Sequence, residues 1–194
     1  MELRESIKSM LKEVVQEVLT TVVSLNSTVK DKAGPKSDSE KKIVVSLGLS
    51  GPLSSSLALV FTNRSACQLV SKMLDSEIQE VSQDVVDGLG EIANIIAGRI
   101  KSRFQEISIP LALSLPGVIM GLGDSSIAKM RGSETISLWV EAPPVNFETF
   151  FLYSTLAGRS KTRKNLYTGE GIPSSLADEA GEALKRLLRQ KKAE

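Results

Sequence analysis

Segments of helical period and segments of extended pattern fall in separate blocks along this chain, and that separation limits the fold class more than any other feature. Leu3, Ile7, Met10, Leu11, Val14, Val15, Val18, Leu19 and Val22 keep the i, i+3, i+4 spacing of one helix face over about six turns. Ile43 to Leu49 and Leu53 to Phe61 are apolar runs of strand length, joined at Ser50-Gly51-Pro52 as a hairpin. Thr62 or Asn63 caps a helix to about Leu74, with Ala66, Leu69, Val70 and Met73 on its apolar side. Val81 to Arg103 is helical again. Ile107–Leu113, Gly117–Leu122, Glu134–Val140 and Phe147–Leu156 then read as extended, with Leu115-Pro-Gly and Ala142-Pro-Pro as breakers. Pro143 and Pro144 suit a strand edge or exit, because proline cannot donate to a ladder. A last helix starts near Ser174, its stripe formed by Leu176, Ala180, Leu184 and Leu187/Leu188. Strand runs set apart from helix runs predict α+β, with helices packed on an antiparallel or mixed β-sheet. Residues 2–61 and 81–122 each run long helix, then two strands, which suggests a weak internal duplication. We expect one domain over residues 1–156, with a basic loop and C-terminal helix over 157–194 packed on it.

Composition narrows the chemistry. The chain has 194 residues, 41% hydrophobic and 24% charged, ordinary values for a globular domain with a real core. A net charge of +1 gives no long-range pull toward nucleic acid or anionic lipid, so neither is expected as a partner. No apolar run nears the ~18–20 residues that span a bilayer. The N-terminus lacks the apolar core of a signal peptide. Cys67 is the only cysteine, which excludes an intrachain disulfide and fits a reducing, cytoplasmic setting. It is expected to pack rather than react, since no cationic activator stands beside it. There is no histidine, so imidazole bases and the usual zinc, copper and haem ligand sets are excluded. Walker A and Gly-x-Gly-x-x-Gly cradles are also missing.

The helix from Val81 to Arg103 breaks the usual rules for an exposed face. Glu91 lies about 40° round from Asp87, and Asn94 about 20° the other way. Leu89, Ile92, Ala93, Ile96 and Ile100 fill the opposite side, while Gly90 and Gly98 flank the polar triplet. Like charges four apart repel by a few tenths of a kcal/mol. A helix-interior glycine costs about 1 kcal/mol against alanine. A helix that accepts both penalties is shaped for something that must approach it closely; the alternative is a plain solvated face. Three uses are open: ligating magnesium or calcium through oxygens, general-base work by Glu91 with Asn94 as donor, or insertion into another protein's site. For the last, a carboxamide offers a donor and an acceptor together and can hold a water without taking its proton. Gly90 and Gly98 also have a simpler use as close helix–sheet packing sites.

The run Val86-Asp87-Gly-Leu-Gly-Glu91-Ile-Ala-Asn94-Ile-Ile-Ala-Gly98 resembles the CheC/CheX/FliY phosphatases of bacterial chemotaxis, whose signature is Asp/Ser-x-x-x-Glu-x-x-Asn on a helix. The Leu115-Pro-Gly-Val-Ile-Met-Gly121 turn and strand, and the hairpin around Gly51-Pro52, look similar to CheX members in particular. The likeness runs over about Met1 to Leu156. Residues 2–23 contain no Glu-x-x-Asn, so the signature occurs once. The resemblance implies a protein-aspartyl-phosphate phosphatase acting on a phosphorylated CheY-like response regulator. In that role Asn94 would orient the attacking water and Glu91 would dock a regulator lysine. Asp87, Gly90 and Gly98 would belong to the partner-binding surface. The chain would need no cofactor or metal of its own, the magnesium being the regulator's. A homodimer is also implied, with Phe147–Tyr153 as a candidate edge strand. The alternative is a non-catalytic CheX-like scaffold that binds a regulator or another partner.

Overall fold

The computed structural model describes residues 2–31, 41–122 and 134–155. Helix α1 (Glu2–Val22) leads to strands β1 (Thr28–Lys30), β2 (Lys42–Ser50) and β3 (Leu53–Thr62). Helices α2 (Asn63–Leu74) and α3 (Gln83–Gln105) follow, then β4 (Ala112–Leu113), β5 (Gly117–Leu122), β6 (Glu134–Ala142) and β7 (Val145–Thr155). All pairings among the described strands are antiparallel. The order is β1-β6-β7-β3-β2-β4, with β5 also paired to β2. Among the described residues, three helices on an open antiparallel sheet make this the expected α+β fold. One core joins Val14, Val15 and Val18 of α1, Leu69 and Val70 of α2, Leu89, Ile92 and Ile96 of α3, and Leu57, Phe61, Leu138 and Phe151 of the sheet. On β6, buried Ile136, Leu138 and Val140 alternate with part-exposed Thr135, Ser137 and Trp139. That period of two turns one sheet face to the helices.

The topology carries the duplication. Exchanging β1 with β5, β2 with β6 and β3 with β7 turns the path β1-β6-β7-β3-β2-β5 into its own reverse. Each pairing maps onto another pairing, β3·β7 maps onto itself, and α1 takes the place of α3. Both long hairpins turn through two residues, Gly51-Pro52 and Pro143-Pro144. The repeated unit is thus a helix and three strands, where the sequence suggested two. The missing strand is β1, three residues long and too short to show a period.

Other expectations are corrected. Only Ala112–Leu113 of the Ile107–Leu113 run is strand. Its first residues close the end of α3: the Ile109 amide returns to the Phe104 carbonyl at 2.9 Å, and Ser108 takes φ 62°. Pro110 then has no N–H to give. The Phe147–Tyr153 strand is no edge. It lies inside β7, paired to β3 on one side and β6 on the other, so it offers no free ladder for a second copy. Pro143 and Pro144 occupy the β6–β7 turn, between the paired residues Ala142 and Val145. The basic stretch from Gly158 to Gly171 and the helix near Ser174 lie outside the described residues. Thr62 does cap α2, its hydroxyl accepting from the Ser65 amide at 3.1 Å. Cys67 is buried, and that burial pushes its thiol pKa up, which suits packing rather than thiolate chemistry.

Candidate functional site

Helix α3 is held by the stripe Val85, Leu89, Ile92, Ala93, Ile96, Ala97, Ile100 and Phe104, all buried. A helix fixed so firmly on one side presents the opposite side at a defined height. Asp87 and Glu91 are exposed there, and Asn94 is half-buried. Asp87 accepts a hydrogen bond from Gln83 Nε2 at 2.9 Å, an i,i+4 pair that steadies the first turns. Among the described residues neither Glu91 nor Asn94 has a side-chain hydrogen bond or ion pair within the protein. Nothing else among the described residues takes up their polar atoms. No group of three metal-ligating side chains converges among the described residues.

The flanking glycines differ in what they do. A Cβ at Gly98 would meet nothing within 4 Å, so the surface there is kept low without any demand from the fold. Gly90 is buried, and its Cβ would lie 3.6 Å from Pro116 Cγ, an ordinary contact with the chain's own loop. Gly88, which the pattern did not single out, is the structural one: a Cβ would stand 2.8 and 2.9 Å from the two γ-carbons of Val70. Val70 is fully buried on α2 and, being β-branched, has little rotamer freedom to yield. Opposite outcomes are therefore expected in thermal melts. Gly98→Ala should stabilise the protein by up to about 1 kcal/mol through helix propensity. Gly88→Ala should destabilise it by about 1–3 kcal/mol, because overpacking outweighs the same propensity gain.

One further feature of this face escaped the sequence pattern. Ser114 is tied to β2, its amide donating to the Gly48 carbonyl and its hydroxyl accepting from the Gly48 amide, both at 2.9 Å. This fixes Pro116 beside Gly90 and leaves Leu115 89% exposed on the same short loop. Ile119 and Met120, on β5, are also exposed. An apolar knob thus stands beside Gly90 on this face, an exposure that the Leu115-Pro-Gly turn did not signal.

The family model for chemotaxis phosphatase CheX matches residues 43–140, about half of the chain. No curated protein matches. Several solved structures do. A CheX chemotaxis protein from Desulfovibrio desulfuricans is 25% identical with a TM-score of 0.63, over 77% of this chain and 99% of that one. CheX from Vibrio vulnificus is 21% identical with a TM-score of 0.65, over 76% and 96%. A CheX–CheY–BeF3–Mg2+ complex from Borrelia burgdorferi matches at 18% identity and a TM-score of 0.62, over 75% and 96%.

Proposed function

The chain belongs to the CheX family of chemotaxis phosphatases, and we propose from that premise that it hydrolyses the aspartyl phosphate of a CheY-like response regulator. The observation that carries this reading is the pair Glu91 and Asn94, four and seven residues past Asp87 on a firmly packed helix and without partners among the described residues. A convex ridge cannot enclose a substrate, so it must enter a cavity in the other protein. The Borrelia burgdorferi complex, in which a CheX is bound to CheY, supports a partner of that kind.

In this mechanism α3 lies against the regulator's phosphorylation site. Glu91 is acceptor-only when ionised and docks on a regulator lysine. Asn94 accepts a hydrogen bond from a water through its carbonyl oxygen and donates through its amide, setting that water in line with phosphorus. The water oxygen bonds to phosphorus as the phosphorus–oxygen bond to the aspartyl carboxylate breaks. The carboxylate leaves with the bonding electrons, and the water's proton passes to the released phosphate or to solvent. Positioning dominates phosphoryl transfer, so an enzyme of this kind needs little covalent chemistry of its own. Magnesium, in this account, arrives with the regulator. The absence of a histidine is then no handicap. The setting would be the cytoplasm; no helix among the described residues is long and apolar enough to cross a membrane.

Adding the protein to a phosphorylated CheY-like regulator with magnesium should speed phosphate release, and Glu91→Ala should raise KM more than it lowers kcat. Failure to speed release from any response regulator of the same organism would count against catalysis. Binding that survives Asn94→Ala, with phosphate released by neither form, would select the scaffold alternative.

A further inference from the structure

A lone exposed leucine is ordinary on a protein surface, but Leu115 is held in place as few loop residues are. Its neighbour Ser114 makes three hydrogen bonds: its amide donates to the Gly48 carbonyl at 2.9 Å, its hydroxyl accepts from the Gly48 amide at 2.9 Å, and the same hydroxyl donates to the Leu115 carbonyl at 3.0 Å. On the other side Pro116 restricts the backbone of the residue before it. An apolar side chain 89% exposed is thus fixed on a short loop, with little backbone freedom left to lose on contact.

The loop stands at a defined place on α3. Round the helix, Asp84, Glu91, Asp87 and Asn94 follow in that order within about 80°, and Gly90 comes about 40° beyond Asn94. Pro116 sits against Gly90, so Leu115 borders the ridge on its Asn94 flank. The opposite flank is acidic. From Met73 to Gly98 the chain carries Asp75, Glu77, Glu80, Asp84, Asp87 and Glu91, with no lysine or arginine, and all six carboxylates are exposed. A surface that closes over Asn94 meets an apolar knob on one side and uncompensated negative charge on the other.

We propose that Leu115 is the apolar anchor of the interface with the phosphorylated regulator, an inference that rests on the reading of α3 given above. The occupant this surface fits is a regulator with an apolar recess beside its phosphorylation site and a basic rim facing α3. Two arguments commit it to that partner. The knob is continuous with the ridge, so a protein seated on Asn94 covers Leu115 as well. The acidic flank is complementary to the lysine that Glu91 docks, and opposite charge across an interface speeds encounter and fixes orientation. Leu115 touches no reacting atom: it holds the partner, while Asn94 acts on the water.

The test uses the full-length protein with a phosphorylated CheY-like regulator of the same organism and magnesium. Leu115→Ser should raise KM at least about tenfold, the worth of one leucine withdrawn from water, with kcat within about twofold of wild type. Leu115→Met, which keeps the apolar contact, should restore KM. Ile119→Ser is the control: Ile119 is exposed too, but it pairs with Val44 on the sheet face away from the helices, and its loss should leave KM unchanged. Raising the salt concentration should raise the wild-type KM, and less steeply so for Asp84→Lys. Melting temperatures of all variants should match the wild type. If the wild type accelerates release and Leu115→Ser keeps its KM, or loses kcat alone, the anchor is overturned while the account of α3 stands. A KM indifferent to salt overturns the basic rim. A dimer that Leu115→Ser splits in sedimentation, at unchanged KM, makes a second copy the occupant and overturns the proposal. If the wild type does not accelerate release, the reading of α3 and the anchor fall together.

Discussion

Asn94→Ala should slow the dephosphorylation of a CheY-like regulator by about 10²–10³-fold, the usual scale for deleting one preorganised hydrogen-bonding group at a transition state. The change removes a donor and an acceptor from a half-buried ridge position while leaving the buried stripe of α3 intact. Helix stability should rise slightly, since alanine is the better helix former. Loss of rate in a protein that melts no earlier than the wild type would thus separate chemistry from folding. Steady-state release of phosphate, with thermal melts on the same samples, measures both.

Phe61→Ala should give the largest change in stability, about 3–5 kcal/mol. Phe61 is completely buried on β3 and stacks on Phe147 of β7, with centroids 4.7 Å apart and rings inclined by 28°. The two residues face each other in the β3·β7 register, the one strand pair that the duplication maps onto itself. Truncation therefore removes packing from the seam between halves as well as from the core, and a stacked pair adds about 0.5–1.5 kcal/mol beyond area. In a domain of this size, each kcal/mol lowers Tm by roughly 2–4 °C. A drop of about 6–20 °C is expected by calorimetry, in a single transition if the halves share one core as their contacts indicate.

Features determined by neighbouring residues could be read directly. The apolar stripes of α1 and α3, the Gly51-Pro52 hairpin and the Thr62 cap depend on periods, turns or a hydroxyl three residues from its amide. The polar triplet was visible for the same reason, as its geometry is that of one helix. What distant parts of the chain determine was not visible. Whether β7 is an edge depends on β3 and β6 arriving on both its sides. Whether a glycine serves packing or access depends on what stands opposite it, and only the fold puts Val70 against Gly88 and open space beside Gly98.

The central claim is that Asn94 acts on the water rather than holding the partner. The most direct measurement compares affinity with rate for the same variant. Titration of Asn94→Ala with regulator carrying beryllofluoride and magnesium gives Kd, and single-turnover decay of the phosphorylated regulator gives the chemical step. The account predicts a Kd within about threefold of wild type and a decay slowed by about 10²-fold or more. A decay as fast as that of the wild type, or a loss of rate matched by an equal loss of affinity, would contradict it.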